Sequence, residues 1–197
     1  MKGQSDAVRE AADRLSDIER SRTKAMESSR IIIRRTKKVI HAIHVDEDRS
    51  AESAEMQKDV AALIDALKDE PSVFHSAVVQ DALGEYAEAM IFSAVVDDEK
   101  IPSSNDLKIT PQAWIMGFAD SIGEIRRMIL ACLMADDLQR AKGLFGRMED
   151  MGDELLGLDV SDAVVPIRRK QDIARSVIEK TRSDIANAVM LAQYSKR

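Results

Sequence analysis

Hydrophobic and small residues recur along this chain at spacings of three and four, which is the pattern of amphipathic helices. Nothing interrupts that pattern between Asp6 and about His44. One face of this segment carries Ala25, Ile32, Thr36, Val39 and Ile43. The spacing therefore predicts one long amphipathic helix, well above the average helix length of about 12 residues. No segment shows a clear apolar–polar alternation that would predict a strand.

Start and stop signals divide the rest of the chain into further helices. The clearest is Thr110-Pro111, where a capping hydroxyl precedes a proline at the first helical position. The predicted helices cover about 50–68, 71–96, 111–135, 138–156 and 166–194, with a loop at 101–110. We therefore expect one all-α domain over residues 1–197, a bundle of six to seven helices with a long first helix.

Composition supports the helical prediction and excludes several protein classes. The 197 residues are 45% hydrophobic and include only 8 Gly and 4 Pro, so a turn-rich β protein is disfavoured. No apolar run is long enough to cross a membrane, and the first residues lack the apolar stretch of a secretory signal. The single cysteine, Cys132, cannot form a disulfide within the chain. We expect a cytoplasmic protein that does not engage a membrane.

A net charge of −6 conceals a strongly basic segment within the first helix. Five residues there form what we call the basic ridge: Arg30, Arg34, Lys37, Lys38 and His41. Most of them follow the i, i+4, i+7, i+11 spacing of one helix face, and His44 extends that face by one step. Such a ridge can bind the phosphates of a nucleic acid. The alternative is a solvated face whose charges pair with neighbouring helices. Because aromatic residues are few, backbone contacts are expected rather than base stacking.

Acidic residues are paired on two other predicted helices. Glu85 and Glu88 lie on the third helix, and Asp120 and Glu124 lie four residues apart on the fourth. Gly117 shares the side of the second pair, so another backbone could approach closely there. Four carboxylates converging on one cation would suit Mg²⁺ or Mn²⁺, and a divalent ion beside a basic ridge fits phosphodiester hydrolysis. The alternative is that each pair is an ordinary solvated helix face.

Two segments resemble motifs of one protein family. Residues 83–92, Leu-Gly-Glu-Tyr-Ala-Glu-Ala-Met-Ile-Phe, are similar to the E-[FY]-x-E-A stretch of the translin family. Residues 117–127, Gly-Phe-Ala-Asp-Ser-Ile-Gly-Glu-Ile-Arg-Arg, are similar to the G-V-A-D-L-T-G-E-L-x-R stretch of its translin-associated factor X branch. The resemblance extends over about residues 25–185. The short loop before the fourth helix resembles that of the compact archaeal-type members.

The resemblance implies a translin-like fold of about seven helices, assembled into rings or cages that enclose RNA. In the factor X branch, acidic residues at these motif positions hold a divalent ion and cleave RNA. By position, Glu85, Glu88, Asp120 and Glu124 are the expected metal-binding and catalytic residues, with Mg or Mn as the cofactor. The resemblance thus predicts a homo-oligomeric endoribonuclease acting on RNA, which we expect to be single-stranded.

Two alternatives to this nuclease remain open. The first is an oligomer that binds RNA or single-stranded DNA without cleaving it, in which the acidic residues have a structural role. The second is a helical scaffold whose charges only keep it soluble. Loss of cleavage with retained binding in an acidic-residue variant would separate the nuclease from the binding protein, and a steep salt dependence of binding would separate both from the scaffold.

Overall fold

A computed structural model describes residues 4–194, and within that range the chain forms eight helices and no strand. The helices are α1 (Gln4–His44), α2 (Ser50–Ala66), α3 (Pro71–Phe74), α4 (Ala77–Val96), α5 (Ser104–Leu107), α6 (Pro111–Met134), α7 (Leu138–Leu156) and α8 (Arg168–Tyr194). The all-α prediction is confirmed. None of the helices in the described range is both long and apolar enough to cross a membrane.

The predicted apolar face of α1 is buried in the bundle. Ala25, Ile32, Thr36, Val39 and Ile43 are all at most 3% exposed, and this part of the helix packs against α2 and α4. The stretch 5–17 is exposed along its whole length. The C-terminal half of α1 is therefore the part that reaches the core.

Helices α4 and α6 form the centre of the bundle and make the most extensive helix–helix contact in the described chain. Their close approach depends on Gly117, because a Cβ at that position would lie 2.8 Å from the backbone nitrogen of Glu88. This bears out the expectation that another backbone could approach Gly117. Large apolar side chains on both helices, including Phe92, Ile122 and Ile125, are almost completely buried around this contact.

The predicted helix over 71–96 is wrong in one respect, because the chain breaks it after one turn. Proline starts α3 at Pro71, but the backbone becomes extended at Ser76 before α4 begins. The loop predicted over 101–110 also contains a short helix, α5. Ser103 and Asp106 cap it reciprocally through side chain and backbone, which is a capping box one helical turn long. The other predicted helices lie within two residues of their observed bounds.

Candidate metal and nucleic-acid site

The contact between α4 and α6 brings the four predicted acidic residues together. Glu85 and Glu88 lie on one helix, Asp120 and Glu124 on the other, and all four side chains are partly buried. The charges of Glu85, Asp120 and Glu124 all act on Glu88. We call these four residues the acidic cluster.

Glu88 has the most perturbed carboxyl group of the acidic cluster. Burial is the main cause, and the charges of Glu85, Asp120 and Glu124 add to it, raising the pKa of Glu88 to about 8. The ammonium of Lys170 acts in the opposite direction. A carboxyl group with this pKa is mostly protonated at neutral pH, because burial first of all, and then the neighbouring carboxylates, disfavour its ionised form.

Glu85 is perturbed in the same sense. Burial raises its pKa, and the charges of Asp120 and Asp81 contribute, whereas those of Lys37 and Lys170 lower it. Lys37 belongs to the basic ridge on α1, so the ridge acts electrostatically on the acidic cluster. The two predicted features are therefore neighbours.

Two basic side chains from other helices bind the acidic pair on α6. Lys170, in the first turn of α8, donates a hydrogen bond from Nζ to Oδ1 of Asp120. His44, the last residue of α1, lies with Nε2 2.5 Å from Oε2 of Glu124. The side chain of His44 is only 6% exposed, and its ring packs against Phe92 with the centroids 5.0 Å apart.

All five residues of the basic ridge lie on the surface of α1. Arg30, Arg34, Lys37, Lys38 and His41 are exposed. Lys38 lies 3.5 Å from a carboxylate oxygen of Glu52, but no ion pair within the described range involves Arg30, Arg34 or His41. The guanidinium groups of Arg30 and Arg34 and the ring of His41 are thus available to a ligand, as the prediction of a phosphate-binding face requires.

A cleft of about 510 Å³ is lined by two residues of the acidic cluster, Glu85 and Asp120. Ile33 of α1 and Lys170 of α8 also line the cleft. Apolar residues from the segment before α8, including Val165, complete the wall. A cleft of this size is large enough to admit one nucleotide of an extended strand.

The donor atoms of the acidic cluster fit a hard divalent cation in their chemistry. All four residues offer carboxylate oxygens, the ligands preferred by Mg²⁺ and Mn²⁺. The cluster already holds one cation, the Lys170 ammonium, and a proton on Glu88. Within residues 4–194, however, no three His, Cys, Asp or Glu side chains are arranged to hold a metal ion as they stand. Metal binding would require carboxylates to exchange these partners.

Sequence reasoning missed the contacts of two residues at this site, His44 and Lys170. It predicts only that His44 extends the basic ridge. The helical spacing of His44 from Lys37 and His41 does put it on the face that meets the acidic cluster. No signal in the sequence indicates that α8 would bring Lys170 to Asp120, since 50 residues separate them.

Solved structures with a closely similar fold are C3PO proteins. The crystal structure of AfC3PO matches with a TM-score of 0.87 and 28% identity, covering 94% of this chain and 98% of that chain. A structure of AfC3PO in complex with duplex RNA matches with a TM-score of 0.77 and 27% identity, covering 94% and 97%. Apo-NeC3PO has a TM-score of 0.82 and covers 95% and 98%, but at 23% identity it bears on the fold alone.

This chain therefore has the helical fold of the C3PO proteins, which are of the translin type. An uncharacterized protein of Methanocaldococcus jannaschii, MJ0175, is 38% identical over 117 residues, which are 57% of this chain and 53% of that protein. The chain spans about half the length of this curated relative. No protein-family model matches the chain.

Proposed function

We propose that this protein is a metal-dependent endoribonuclease that works as a homo-oligomer. The observation that carries the proposal is the acidic cluster between α4 and α6, which lies beside the exposed basic ridge of α1. The ridge supplies positive charge for phosphates, and the cluster supplies oxygen ligands for a divalent ion. The motif resemblance to the factor X branch of the translin family favours the same function.

The basic ridge binds the RNA backbone in this proposal. Arg30 and Arg34 lie one helical turn apart, and Lys37 and His41 continue the same face. Phosphates along an RNA strand would neutralise charges that repel one another in the free protein. The duplex RNA bound by AfC3PO supports RNA as the ligand. Both double-stranded and single-stranded substrates therefore belong in the test.

The acidic cluster would hold Mg²⁺ or Mn²⁺ through Glu85, Glu88, Asp120 and Glu124. Such an ion polarises a phosphoryl oxygen and lowers the pKa of an attacking water. The four carboxylates would bind the ion, and Glu88, whose pKa burial raises to about 8, would release its proton to solvent on doing so. Lys170, which donates to Asp120 and lines the cleft, would have to release that carboxylate for an ion and would supply positive charge for a phosphate.

A cleavage assay with matched variants tests the proposal. Single-stranded and duplex RNA are incubated with the protein in EDTA, Mg²⁺ or Mn²⁺, and the mass of the assembly is measured in the same buffers. Cleavage is expected only with a divalent ion. Glu124→Ala should reduce it by orders of magnitude while the protein folds and binds RNA. Glu154→Gln, which alters an exposed carboxylate on α7, is the control and should cleave as the wild type does.

A protein that binds RNA or single-stranded DNA without cleaving it is the second candidate. One observation favours it, namely that Asp120 and Glu124 already have partners in Lys170 and His44. It would replace the first proposal if the wild type bound RNA but did not cut it in either metal. Cleavage by Glu124→Ala at the wild-type rate would remove Glu124 from the site. A monomeric mass at micromolar concentration would contradict the homo-oligomer.

A further inference from the structure

We propose that His44 is a positioning residue that fixes the Glu124 carboxylate so that one of its oxygens can serve as a metal ligand. The inference rests on the proposed function. The hydrogen bond from Nε2–H of His44 to Oε2 of Glu124, at 2.5 Å, leaves Oε1 of Glu124 for the ion. His44 itself does not bind the metal.

The surroundings of His44 hold its ring in one orientation. Only 6% of the side chain is exposed, and the ring contacts that of the completely buried Phe92 in a tilted arrangement, with an angle of 40° between the planes. His44 is also the last residue of α1, and Ile40 and Ile43 anchor that end of the helix in the core. A buried imidazole with a fixed ring defines the position of a carboxylate more narrowly than a flexible surface side chain can.

The other cation near Glu124 does not have these properties. Nη1 of Arg127 lies 3.8 Å from Oε2 of Glu124, beyond hydrogen-bond distance, and its side chain is 65% exposed. Arg127 therefore places a positive charge near Glu124 but does not fix the orientation of the Glu124 carboxylate. Variants of His44 and of Arg127 can therefore distinguish the effect of a nearby charge on Glu124 from the effect of a positioning hydrogen bond.

The two effects predict opposite changes in metal affinity. If His44 acted only as a competing positive group, its removal would free Glu124 and tighten metal binding. If it orients the carboxylate, its removal should weaken binding. Loss of a hydrogen-bonding partner behind a metal ligand typically lowers metal affinity by about 10- to 100-fold.

The test measures Mn²⁺ binding to the full chain in the absence of RNA, by the electron paramagnetic resonance signal of free Mn²⁺. His44→Phe keeps an aromatic ring against Phe92 and removes the donor, so we expect Mn²⁺ affinity to fall about 10- to 100-fold. His44→Gln keeps an amide donor of similar reach and should recover part of that loss. Arg127→Gln removes a positive charge without a hydrogen bond and should leave affinity unchanged or slightly tighter.

Thermal melting without metal checks that each variant folds. If His44→Phe does not fold, His44→Asn, whose shorter amide does not reach Glu124, carries the same expectation. Wild-type or tighter Mn²⁺ binding by the folded variant would overturn the positioning role while the proposed nuclease stands. Equal losses in the Phe and Gln variants would also overturn it. A wild type that binds no Mn²⁺, together with an inactive cleavage assay, would overturn both proposals.

Discussion

Gly117 on α6 lies so close to α4 that a Cβ at Gly117 would collide with the carbonyl oxygen of Gly84. The same Cβ would meet the Cβ of Ala87 at 2.7 Å. Backbone and a short side chain cannot move aside as the end of a long side chain can. This contact sets the separation of the two helices and therefore the spacing of the carboxylates that they carry.

Gly117→Ala should destabilise the protein by about 1–3 kcal/mol or more, because the added methyl group overpacks the helix contact. Gly123 is the matched control on the same helix, since a Cβ there meets nothing within 4 Å. Gly123→Ala should be neutral or stabilise by up to about 1 kcal/mol through better helix propensity. Chemical denaturation gives both values. Equal stability of the two variants would show that the helices separate without cost.

The raised pKa of Glu88 makes the metal-free protein less stable as pH rises. Below the unfolded-state pKa of 4.5 the carboxyl is protonated in both states, and its contribution to stability is fully present. Above that pH only the folded state keeps the proton, so the contribution is lost as pH rises towards the folded pKa of about 8.

Glu88→Gln should therefore flatten the decline in stability between pH 5 and pH 8 in EDTA, as followed by denaturation at each pH. At about pH 9 the variant should be more stable than the wild type by at least about 1 kcal/mol. Glu154→Gln again serves as the control and should keep the wild-type slope. If the stability of Glu88→Gln declined with pH as steeply as that of the wild type, a group other than Glu88 would be the one that titrates.

Local patterns are sufficient to predict most helices of this fold. Thr110 caps α6 by accepting a hydrogen bond from the backbone N–H of Ala113, with Pro111 following it, as the sequence predicts. The break at Ser76 escapes prediction because proline and apolar spacing favour one continuous helix there. The backbone of that turn is instead supported by Gln80, whose amide donates to the carbonyl of Phe74.

The candidate site can be predicted only in part. Helical spacing places Glu85 and Glu88, and likewise Asp120 and Glu124, on common faces. The partners of these carboxylates depend on how distant helices pack. Glu124 meets His44 across 80 residues of sequence, and such pairings leave no periodic trace in a single sequence.

Lys170→Met should raise the pKa of Glu88 above about 8, because the Lys170 ammonium is the positive charge that lowers it. The pH dependence of the carboxyl carbon signal of Glu88 in NMR spectra, assigned with Glu88→Gln, measures the change. The control is Arg169→Met, which removes an exposed neighbouring charge. The expectation fails if the pKa stays the same or falls in the Lys170 variant.

Replacing Arg34 and Lys37 by alanine should weaken RNA binding and reduce its salt dependence. Both side chains are exposed on the basic ridge. For every phosphate that the variant no longer neutralises, the slope of log affinity against log salt concentration should fall by about 0.7 on a single strand or about 0.9 on a duplex. Filter binding across a salt series gives the slopes. Lys142→Ala, on the exposed face of α7, is the control, and an unchanged slope in the double variant would exclude the ridge as the binding face.

The uninterrupted course of α1 has a further consequence for the proposed nuclease. Arg30 and His44 lie on one rigid rod, and at 1.5 Å per residue about 21 Å separates them along its axis. If a phosphate of the RNA strand binds at Arg30, the distance from that phosphate to the acidic cluster would be constant. The helix would then act as a molecular ruler, and cleavage near a bound end would yield fragments of uniform length.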